Sequence, residues 1–311
     1  MQKPMLELEN TNKVEDKVTS IEDIEQQNNT SQKEDIDQQQ EKINQENNKE
    51  QDQQENQQES QQSAEKVDSK ENVVPNQTNK KVDTKQDQKS WWFKRNKEHL
   101  PPGAQQEIEI AKFNTYYLGD TAEKVIYLTF DEGYENGYTA QILDILKEND
   151  VQAAFFVTQP YVKQNLDLIQ RMVNEGHVVG NHSVTHPNLT EKNDDQVKEE
   201  IQGLANYYEE VIGQPIAPFF RPPAGYYSER TLQITQNLGY KTIFWSMAYK
   251  DWVVDEQPGK EVAYQHVMDN HHPGAIILLH AVSKSNTEAL DQILKDLKAE
   301  GYRFASLYDL P

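Results

Sequence analysis

The chain has 311 residues, no cysteine and a formal net charge of −21 at pH 7. Without cysteine it forms neither a disulfide nor a thiolate centre, which leaves the compartment open. No basic cluster is present that could follow a phosphate backbone, so we expect no nucleic-acid partner, and no protein partner is inferred. Length alone allows one large domain or two smaller ones, so the distribution of residue types must decide.

The first 90 residues predict a disordered tail. They contain no Gly, Phe, Tyr or Trp, and 29 of them are Gln or Asn, scattered among charged residues. So little apolar surface cannot offset the entropy lost on ordering. We therefore expect residues 1–90 to form a disordered tail or tether, with a Gln-rich helix as the alternative. The first thirty residues also lack the apolar stretch of a signal peptide, and no apolar run is long enough to span a bilayer.

The remaining residues are enough for a single folded domain. They hold all four Trp, all fifteen Tyr and all thirteen Gly of the chain, the composition that a buried core requires. We expect residues 124–311 to form this domain and residues 91–123 to form an N-terminal extension that packs on it. Trp91 and Trp92 are predicted to pin the extension in place.

From Lys124 onward, short apolar runs alternate with amphipathic stretches. The apolar runs predict buried strands at 125–130, 153–157, 178–180, 219–220, 242–245 and 275–279. The amphipathic stretches predict helices at 138–147, 166–174, 194–212, 229–238 and 288–299. Three of the helices are followed by a glycine and a new strand, at Gly176, Gly239 and Gly301. The alternation predicts an α/β fold with parallel strands, either a barrel related to the eight-stranded kind or an open doubly wound sheet.

Polar side chains follow these predicted strands. Asp131, His182, Arg221, Asp251 and His280 each come directly after a strand or within a few residues of one, although they are spread over 150 positions. In a parallel barrel the reactive groups gather at the carboxyl ends of the strands. We therefore expect these five side chains to share one site.

Two local patterns give that site a chemistry. His182 and His186 are four residues apart, a spacing at which two imidazoles can bind one metal ion, although such pairs also occur by chance. The pair Asp131-Glu132 at the end of the first strong strand could supply one oxygen ligand and one general base. The alternative for this second pattern is a solvated acidic turn closed by Gly133.

The order of these segments resembles a known family. Thr129–Gly133, His182–His186, Arg221-Pro222-Pro223, Asp251-Trp252 and Leu278–His280 are similar, in that order, to the five motifs of polysaccharide deacetylases of carbohydrate esterase family 4, the NodB homology domain. The resemblance is closest to the delta-lactam-biosynthetic de-N-acetylases of the spore cortex, on the segments 129–139, 92–95 and 273–275. It covers roughly residues 91–311 and leaves the tail unexplained.

The resemblance implies a distorted (β/α) barrel of seven or so parallel strands and a metal-dependent hydrolysis of an N-acetyl group. The divalent ion, often zinc, is bound by His182, His186 and the carboxylate at position 132. Asp131 corresponds to the catalytic base and Arg221 pairs with it. His280 corresponds to the general acid that protonates the leaving amine, and Asp251 holds the other nitrogen of its imidazole ring. The backbone N–H near Ala224 would donate to the oxyanion.

Two departures bear on these roles. The family usually has Asp, a metal ligand, where this chain has Glu132. Glu is one methylene longer, so it either reaches the ion in a different geometry or leaves the ion to other ligands. Ala224 replaces the aromatic residue that is usual after the proline pair, which bears on the substrate pocket. Tyr226 and Trp252 are candidates to stack on a sugar ring, although such aromatic residues often serve only packing.

The expected reaction is therefore removal of the N-acetyl group from a peptidoglycan sugar, N-acetylmuramic acid first, so that muramic delta-lactam can form. The alternatives are an N-acetylglucosamine deacetylase acting on peptidoglycan or chitin-like glycans, a catalytically weak glycan-binding module, and an interaction protein driven by the Gln-rich tail. A cell-wall substrate implies an extracytoplasmic enzyme, although no signal peptide or transmembrane segment is visible in the sequence.

Overall fold

A curved sheet of eight strands forms the frame of the domain. The computed structural model describes residues 87–105 and 107–311, so the predicted tail lies outside the described residues except at 87–90. The strands, in chain order, are β1 (Lys89–Ser90), β2 (Phe93–Lys94), β3 (Gly103–Ala104), β4 (Thr115–Tyr116), β5 (Val125–Glu132), β6 (Ala154–Val157), β7 (Val178–Asn181), β8 (Phe219–Phe220), β9 (Tyr226–Tyr227), β10 (Lys241–Ile243), β11 (Ala275–His280) and β12 (Arg303–Phe304).

The sheet closes on itself only in part. Its strand order is β11-β5-β6-β7-β8-β10-β4, with β12 also paired to β5, and every pairing is parallel. The segment after β10 pairs with β11 at a single parallel bridge, between Met247 and Ile277. At this bridge the Leu278 N–H donates to the Met247 carbonyl at 2.9 Å. One bridge in place of a full ladder makes this a distorted barrel, which confirms the predicted fold.

Helices cover the outside of the sheet. They are α1 (Thr139–Glu148), α2 (Gln159–Gln164), α3 (Leu166–Asn174), α4 (Asp194–Ile212), α5 (Glu229–Asn237), α6 (Lys260–Asn270) and α7 (Lys284–Ala299). The five predicted helices are present, but the last begins at Lys284 and not at Glu288, and α2 and α6 were not predicted. Gly176, Gly239 and Gly301 have φ values of +81°, +88° and +89°, the left-handed backbone that ends a helix without strain when no Cβ is present.

Alternation along β5 separates two apolar cores. Val125 and Tyr127 face the inside of the barrel, where they meet inward-facing residues of β6, β7, β8, β10 and β11. Ile126, Leu128 and Phe130 face the helices and join the larger core beneath them. Since side chains alternate along a strand, the two residues that end β5 must also point to opposite faces.

The N-terminal extension contributes to the sheet as well as covering it. β4 pairs with β10, so the boundary expected at residue 124 falls inside the sheet. Trp91 is buried and stacks on Phe244, with ring centroids 4.4 Å apart. Trp92 is 53% exposed, so the prediction that both tryptophans pin the extension is wrong for Trp92. Within the described ranges no helix is both long and apolar enough to cross a membrane.

Candidate active site

Asp131 and Glu132 lie on opposite faces of the sheet. Asp131 shares the inner face with Thr129, whereas Glu132 points outward, where its Oε1 accepts a hydrogen bond from the Thr139 hydroxyl at 3.3 Å. Burial, reinforced by the neighbouring Glu135, raises the pKa of Glu132 well above its usual value. Glu132 is therefore a buried acid on the helix side of β5, and its surroundings favour the protonated form.

Arg221 holds Asp131 inside the barrel. Its Nη1 donates to Asp131 Oδ1 at 2.8 Å and to the Thr129 hydroxyl at 2.9 Å, and its Nε donates to the Ile243 carbonyl at 3.1 Å. The guanidinium is fully buried and lies 4.2 Å from the centroid of the Phe156 ring. Burial alone would raise the pKa of Asp131, but Arg221 outweighs it and holds that pKa below its usual value. Asp131 is therefore ionised and fixed in direction.

His182 presents a free ring nitrogen to this carboxylate. Its Nδ1 lies 2.8 Å from the Arg221 carbonyl oxygen, and because a carbonyl only accepts, Nδ1 must carry the proton. The unprotonated Nε2 then lies 3.6 Å from Asp131 Oδ2. Burial lowers the pKa of His182 to about 4, so the ring is neutral at pH 7.

His186 is brought beside His182 by a tight turn. The two ring centroids are 4.7 Å apart, and Ser183 and His186 both have positive φ values, +71° and +57°. The His186 N–H donates to the Ser183 hydroxyl at 2.9 Å, while the Val184 N–H donates to the Glu200 carbonyl of α4 at 3.0 Å. Burial lowers the pKa of His186 as well. Two neutral imidazoles therefore lie side by side at the end of β7.

A second carboxylate–imidazole pair lies at the end of β11. His280 Nδ1 donates to Asp251 Oδ1 at 2.7 Å, and the His280 N–H donates to Asp251 Oδ2 at 2.8 Å. Burial would lower the pKa of His280, but Asp251 reverses that effect and the pKa lies above its usual value. The half-exposed Trp252 ring lies beside His280, tilted by 58°, with ring centroids 5.2 Å apart. His280 can therefore carry a proton near neutral pH.

The loop after Arg221 has a strained backbone. Ala224 is exposed and has φ = +51° and ψ = +13°, a conformation that an L-residue adopts at a cost. Tyr226 begins β9, which pairs antiparallel with β1. Strain of this kind is common where a backbone N–H is aimed at a ligand, so the geometry is compatible with the predicted oxyanion role of Ala224.

The predicted metal ligands are only partly brought together. His182 and His186 fit a divalent ion, since both imidazoles are neutral and the free Nε2 of His182 faces a carboxylate oxygen. Glu132 does not fit, because its carboxyl group faces Thr139. In the described part of the chain, no three His, Cys, Asp or Glu side chains converge to hold a metal ion. Of the expected set, the structure therefore brings His182 and His186 together and leaves Glu132 apart from them.

Two residues that donate to or accept from the site's side chains were missed from the sequence. Thr129 accepts a hydrogen bond from Arg221 Nη1. The sequence could have revealed Thr129, because a residue two positions before Asp131 lies on the same face of β5. Asn286 donates to Asp251. No local pattern marks Asn286, which lies 35 residues further along the chain, in the first turn of α7.

Comparison with known proteins identifies the family of this chain. Residues 118–243 match the family model for polysaccharide deacetylase. A chain of the same family, the peptidoglycan-N-acetylmuramic acid deacetylase PdaA of Bacillus subtilis, is 48% identical over 223 residues, which are 71% of this chain and 85% of that protein. The chain therefore belongs to the polysaccharide deacetylase family, whose members are hydrolases that act on N-acetyl amides.

Particular relatives extend the similarity. The solved structure of Bacillus subtilis PdaA, described as a family 4 carbohydrate esterase, superimposes with a TM-score of 0.70 over 72% of this chain and 96% of that chain. A 30.6 kDa protein of Geobacillus stearothermophilus is 51% identical over 71% of this chain and 84% of its own length. A Bacillus cereus peptidoglycan-N-acetylglucosamine deacetylase is 32% identical over 66% of this chain and 95% of its own length.

Proposed function

We propose that this chain hydrolyses the N-acetyl group of N-acetylmuramic acid in peptidoglycan. The observation that carries the proposal is the buried Arg221–Asp131 pair lying beside two neutral imidazoles in a chain 48% identical to an N-acetylmuramic acid deacetylase. The second candidate substrate is N-acetylglucosamine. The match to the Bacillus cereus peptidoglycan-N-acetylglucosamine deacetylase covers 95% of that protein's length.

His182 and His186 would hold a divalent ion, for which zinc is our choice because imidazole nitrogen suits it. When bound, such an ion polarises the amide carbonyl and lowers the pKa of a coordinated water. The Arg221 carbonyl keeps the His182 proton on Nδ1 and so leaves Nε2 free for binding.

Asp131 would act as the general base. Its carboxylate is ionised and aimed by Arg221, and Oδ2 is not engaged by that guanidinium. It can therefore accept a proton from the attacking water. The backbone N–H near Ala224 would donate to the oxygen that becomes negative in the tetrahedral intermediate.

His280 would act as the general acid. The leaving amine must gain a proton as the C–N bond breaks, and Asp251 keeps the imidazole of His280 in the protonated form that can supply it. Trp252, which lies beside His280, would offer an apolar wall to the sugar ring.

Deacetylation of N-acetylmuramic acid has a specific chemical consequence. The freed C2 amine lies within reach of the lactyl carboxyl group on O3, and their condensation closes a six-membered lactam. Ring closure requires that no peptide occupies the carboxyl group. We therefore propose a place in the formation of muramic delta-lactam in the spore cortex, and an extracytoplasmic location where this substrate is found.

Acetate release from purified glycans tests the proposal. We expect the protein to release acetate from peptide-free glycan strands at residues of N-acetylmuramic acid, and more slowly from N-acetylglucosamine oligomers. Equal or faster release from the oligomers would favour the second candidate. Release from neither would reject both.

The Asp131→Asn variant separates an enzyme from a glycan-binding module. We expect acetate release to fall roughly 10²- to 10⁴-fold, as is usual when a general base is lost, while binding to glycan strands persists. A variant that behaves like the wild-type protein in both assays would indicate a binding module.

A further inference from the structure

Two buried polar side chains lie behind Asp251, on the side away from the His280 ring. Asn286 Nδ2 donates to Asp251 Oδ2, and the Tyr249 hydroxyl donates to Asn286 Oδ1. Asp251 and Asn286 are each 1% exposed and Tyr249 is 7% exposed. None of the five family motifs that the sequence matches includes Asn286 or Tyr249.

The direction of these hydrogen bonds is fixed by chemistry. An ionised carboxylate only accepts, so Asn286 must turn its NH₂ group toward Asp251 and its oxygen toward Tyr249. That oxygen in turn only accepts, so the Tyr249 hydroxyl must be the donor. Burial, reinforced by Asp251, raises the pKa of Tyr249, and the hydroxyl keeps its proton. The bonds therefore form a one-way series of donors that ends on Asp251.

The backbone holds Asn286 in this position. Asn286 is the third residue of α7, and its N–H donates to the hydroxyl of the capping residue Ser283 at 3.2 Å. The Ser283 hydroxyl donates to Gln257 Oε1 at 2.6 Å, and Gln257 Nε2 donates to the Asp251 carbonyl at 2.9 Å. The start of α7 and the segment that carries Asp251 are thus tied together on both sides of the Asn286–Asp251 contact.

Within the proposed function, this arrangement gives Asn286 a part in the reaction. We propose that Asn286 is a positioning residue that acts through Asp251, and that Tyr249 orients it. By donating to Oδ2, it limits the negative charge that the carboxylate presents to His280. His280 can then release its proton to the leaving amine more readily than it could beside an unrestrained carboxylate.

Three charged groups influence the pKa of His280. Asp251 and Asp131 favour its protonated form, and Arg221 opposes it. The NH₂ group of Asn286 adds a partial positive charge beyond Asp251. When the NH₂ group of Asn286 is removed, Asp251 accepts one hydrogen bond fewer. Asp251 then holds the protonated His280 imidazole more tightly, which makes His280 a weaker acid.

The test uses the full chain with ¹⁵N-labelled histidine, in which NMR follows the titration of His280 without substrate. The His280→Gln variant assigns the signal. We expect Asn286→Leu to raise the pKa of His280, and Tyr249→Phe to raise it less. Thr287→Val is the matched control, because Thr287 is buried in the same helical turn and donates only to the Ser283 carbonyl.

Kinetics give the second readout. We expect Asn286→Leu to lower kcat roughly three- to tenfold with little change in KM, the scale of one hydrogen bond, and Thr287→Val to leave both near wild type. An unchanged or lowered His280 pKa in both Asn286→Leu and Tyr249→Phe would overturn the proposal. Because the titration needs no substrate, failure of every glycan to react would count against the proposed function and not against this inference.

Discussion

Asp131 and Glu132 are consecutive residues of β5, yet their carboxyl groups lie on opposite faces of the sheet and their pKa values are shifted in opposite directions. Asp131 faces Arg221, which lowers its pKa, whereas Glu132 faces Thr139 in a buried site that raises its pKa. The pleat of the strand separates them, and the different surroundings on the two faces shift the two pKa values. One of the two adjacent acids therefore serves the inner site and the other lies in the layer between sheet and helices.

The position of Glu132 leads to a prediction about stability. Its pKa is raised in the folded state well above its ordinary value of 4.5. Folding therefore gains from this group below pH 4.5, and the gain is lost as pH rises through the folded-state pKa. We expect Glu132→Gln, which cannot ionise, to match the wild-type protein at pH 4.5 and to exceed it at pH 8 by about 1 kcal/mol or more.

Urea unfolding of metal-free protein at both pH values measures this effect. Glu148→Gln is the control, because Glu148 is exposed on α1 and its replacement leaves a buried acid unchanged. A Glu132→Gln variant that is less stable than the wild-type protein at pH 8 would show that position 132 needs an ionised carboxylate.

Much of the fold was predictable from the sequence because its signals are local. The strands β5 and β11 consist mostly of apolar residues, as buried parallel strands do. The helix α6 was missed because only Ala263 and Val267 are buried on it, too few to give a clear period. The helix α2 was missed because it has six residues, with Pro160 in its first turn.

The site was predictable to the extent that strand ends gather polar residues. Asp131 contacts Arg221 and His182, and it is the register partner of His280, which pairs with Asp251, so these strand-end residues do come together. Glu132 was assigned to the metal because the family resemblance places a ligand at that position, whereas the alternation of the strand turns its side chain away from Asp131. Asn286 could not be predicted, since its contact with Asp251 depends on how α7 packs and not on any spacing along the chain.

The Arg221–Asp131 pair leads to a prediction about pH dependence. Lys in place of Arg221 keeps a charge but cannot donate to Thr129, Asp131 and the Ile243 carbonyl at once. We expect the pKa of Asp131 to rise in Arg221→Lys. Since the base must be ionised, the acid limb of the profile of kcat/KM against pH should move to higher pH.

Acetate release measured across the acid range tests this expectation. Arg171→Lys is a matched control, because Arg171 also pairs with carboxylates, Asp144 and Glu175, but lies on the outer surface. An acid limb that stays in place in Arg221→Lys would mean that Asp131 does not limit the rate as a base.

The imidazole pair leads to a prediction about metal binding that needs no activity assay. We expect the protein, after treatment with a chelator, to bind one zinc ion, and His186→Asn to lower that affinity by at least about a hundredfold, since few other ligands are available. Glu132→Gln should bind zinc as the wild-type protein does. Calorimetric titration measures all three.

His99→Asn is the control for the metal titration, because His99 is exposed and contacts His271 away from the imidazole pair. Loss of zinc binding in Glu132→Gln would restore Glu132 as a ligand. Unchanged binding in His186→Asn would reject the pair as the metal site.

Two adjacent tryptophans provide a last prediction, about the N-terminal extension. Trp91 is buried, stacks on Phe244 and donates through Nε1 to the Trp245 carbonyl at 2.9 Å, while Trp92 is largely exposed. We expect Trp91→Ala to lower the free energy of unfolding by about 3–5 kcal/mol, and Trp92→Ala to change it by less than about 0.5 kcal/mol. Urea unfolding measures both. The Trp91 backbone N–H also donates to the Gly225 carbonyl, next to Ala224. A phenyl ring can still stack on Phe244, so Trp91→Phe should retain more stability than Trp91→Ala and yet slow acetate release, through looser packing beneath the Ala224 loop. Equal stability of the two alanine variants would show that the extension does not support the barrel.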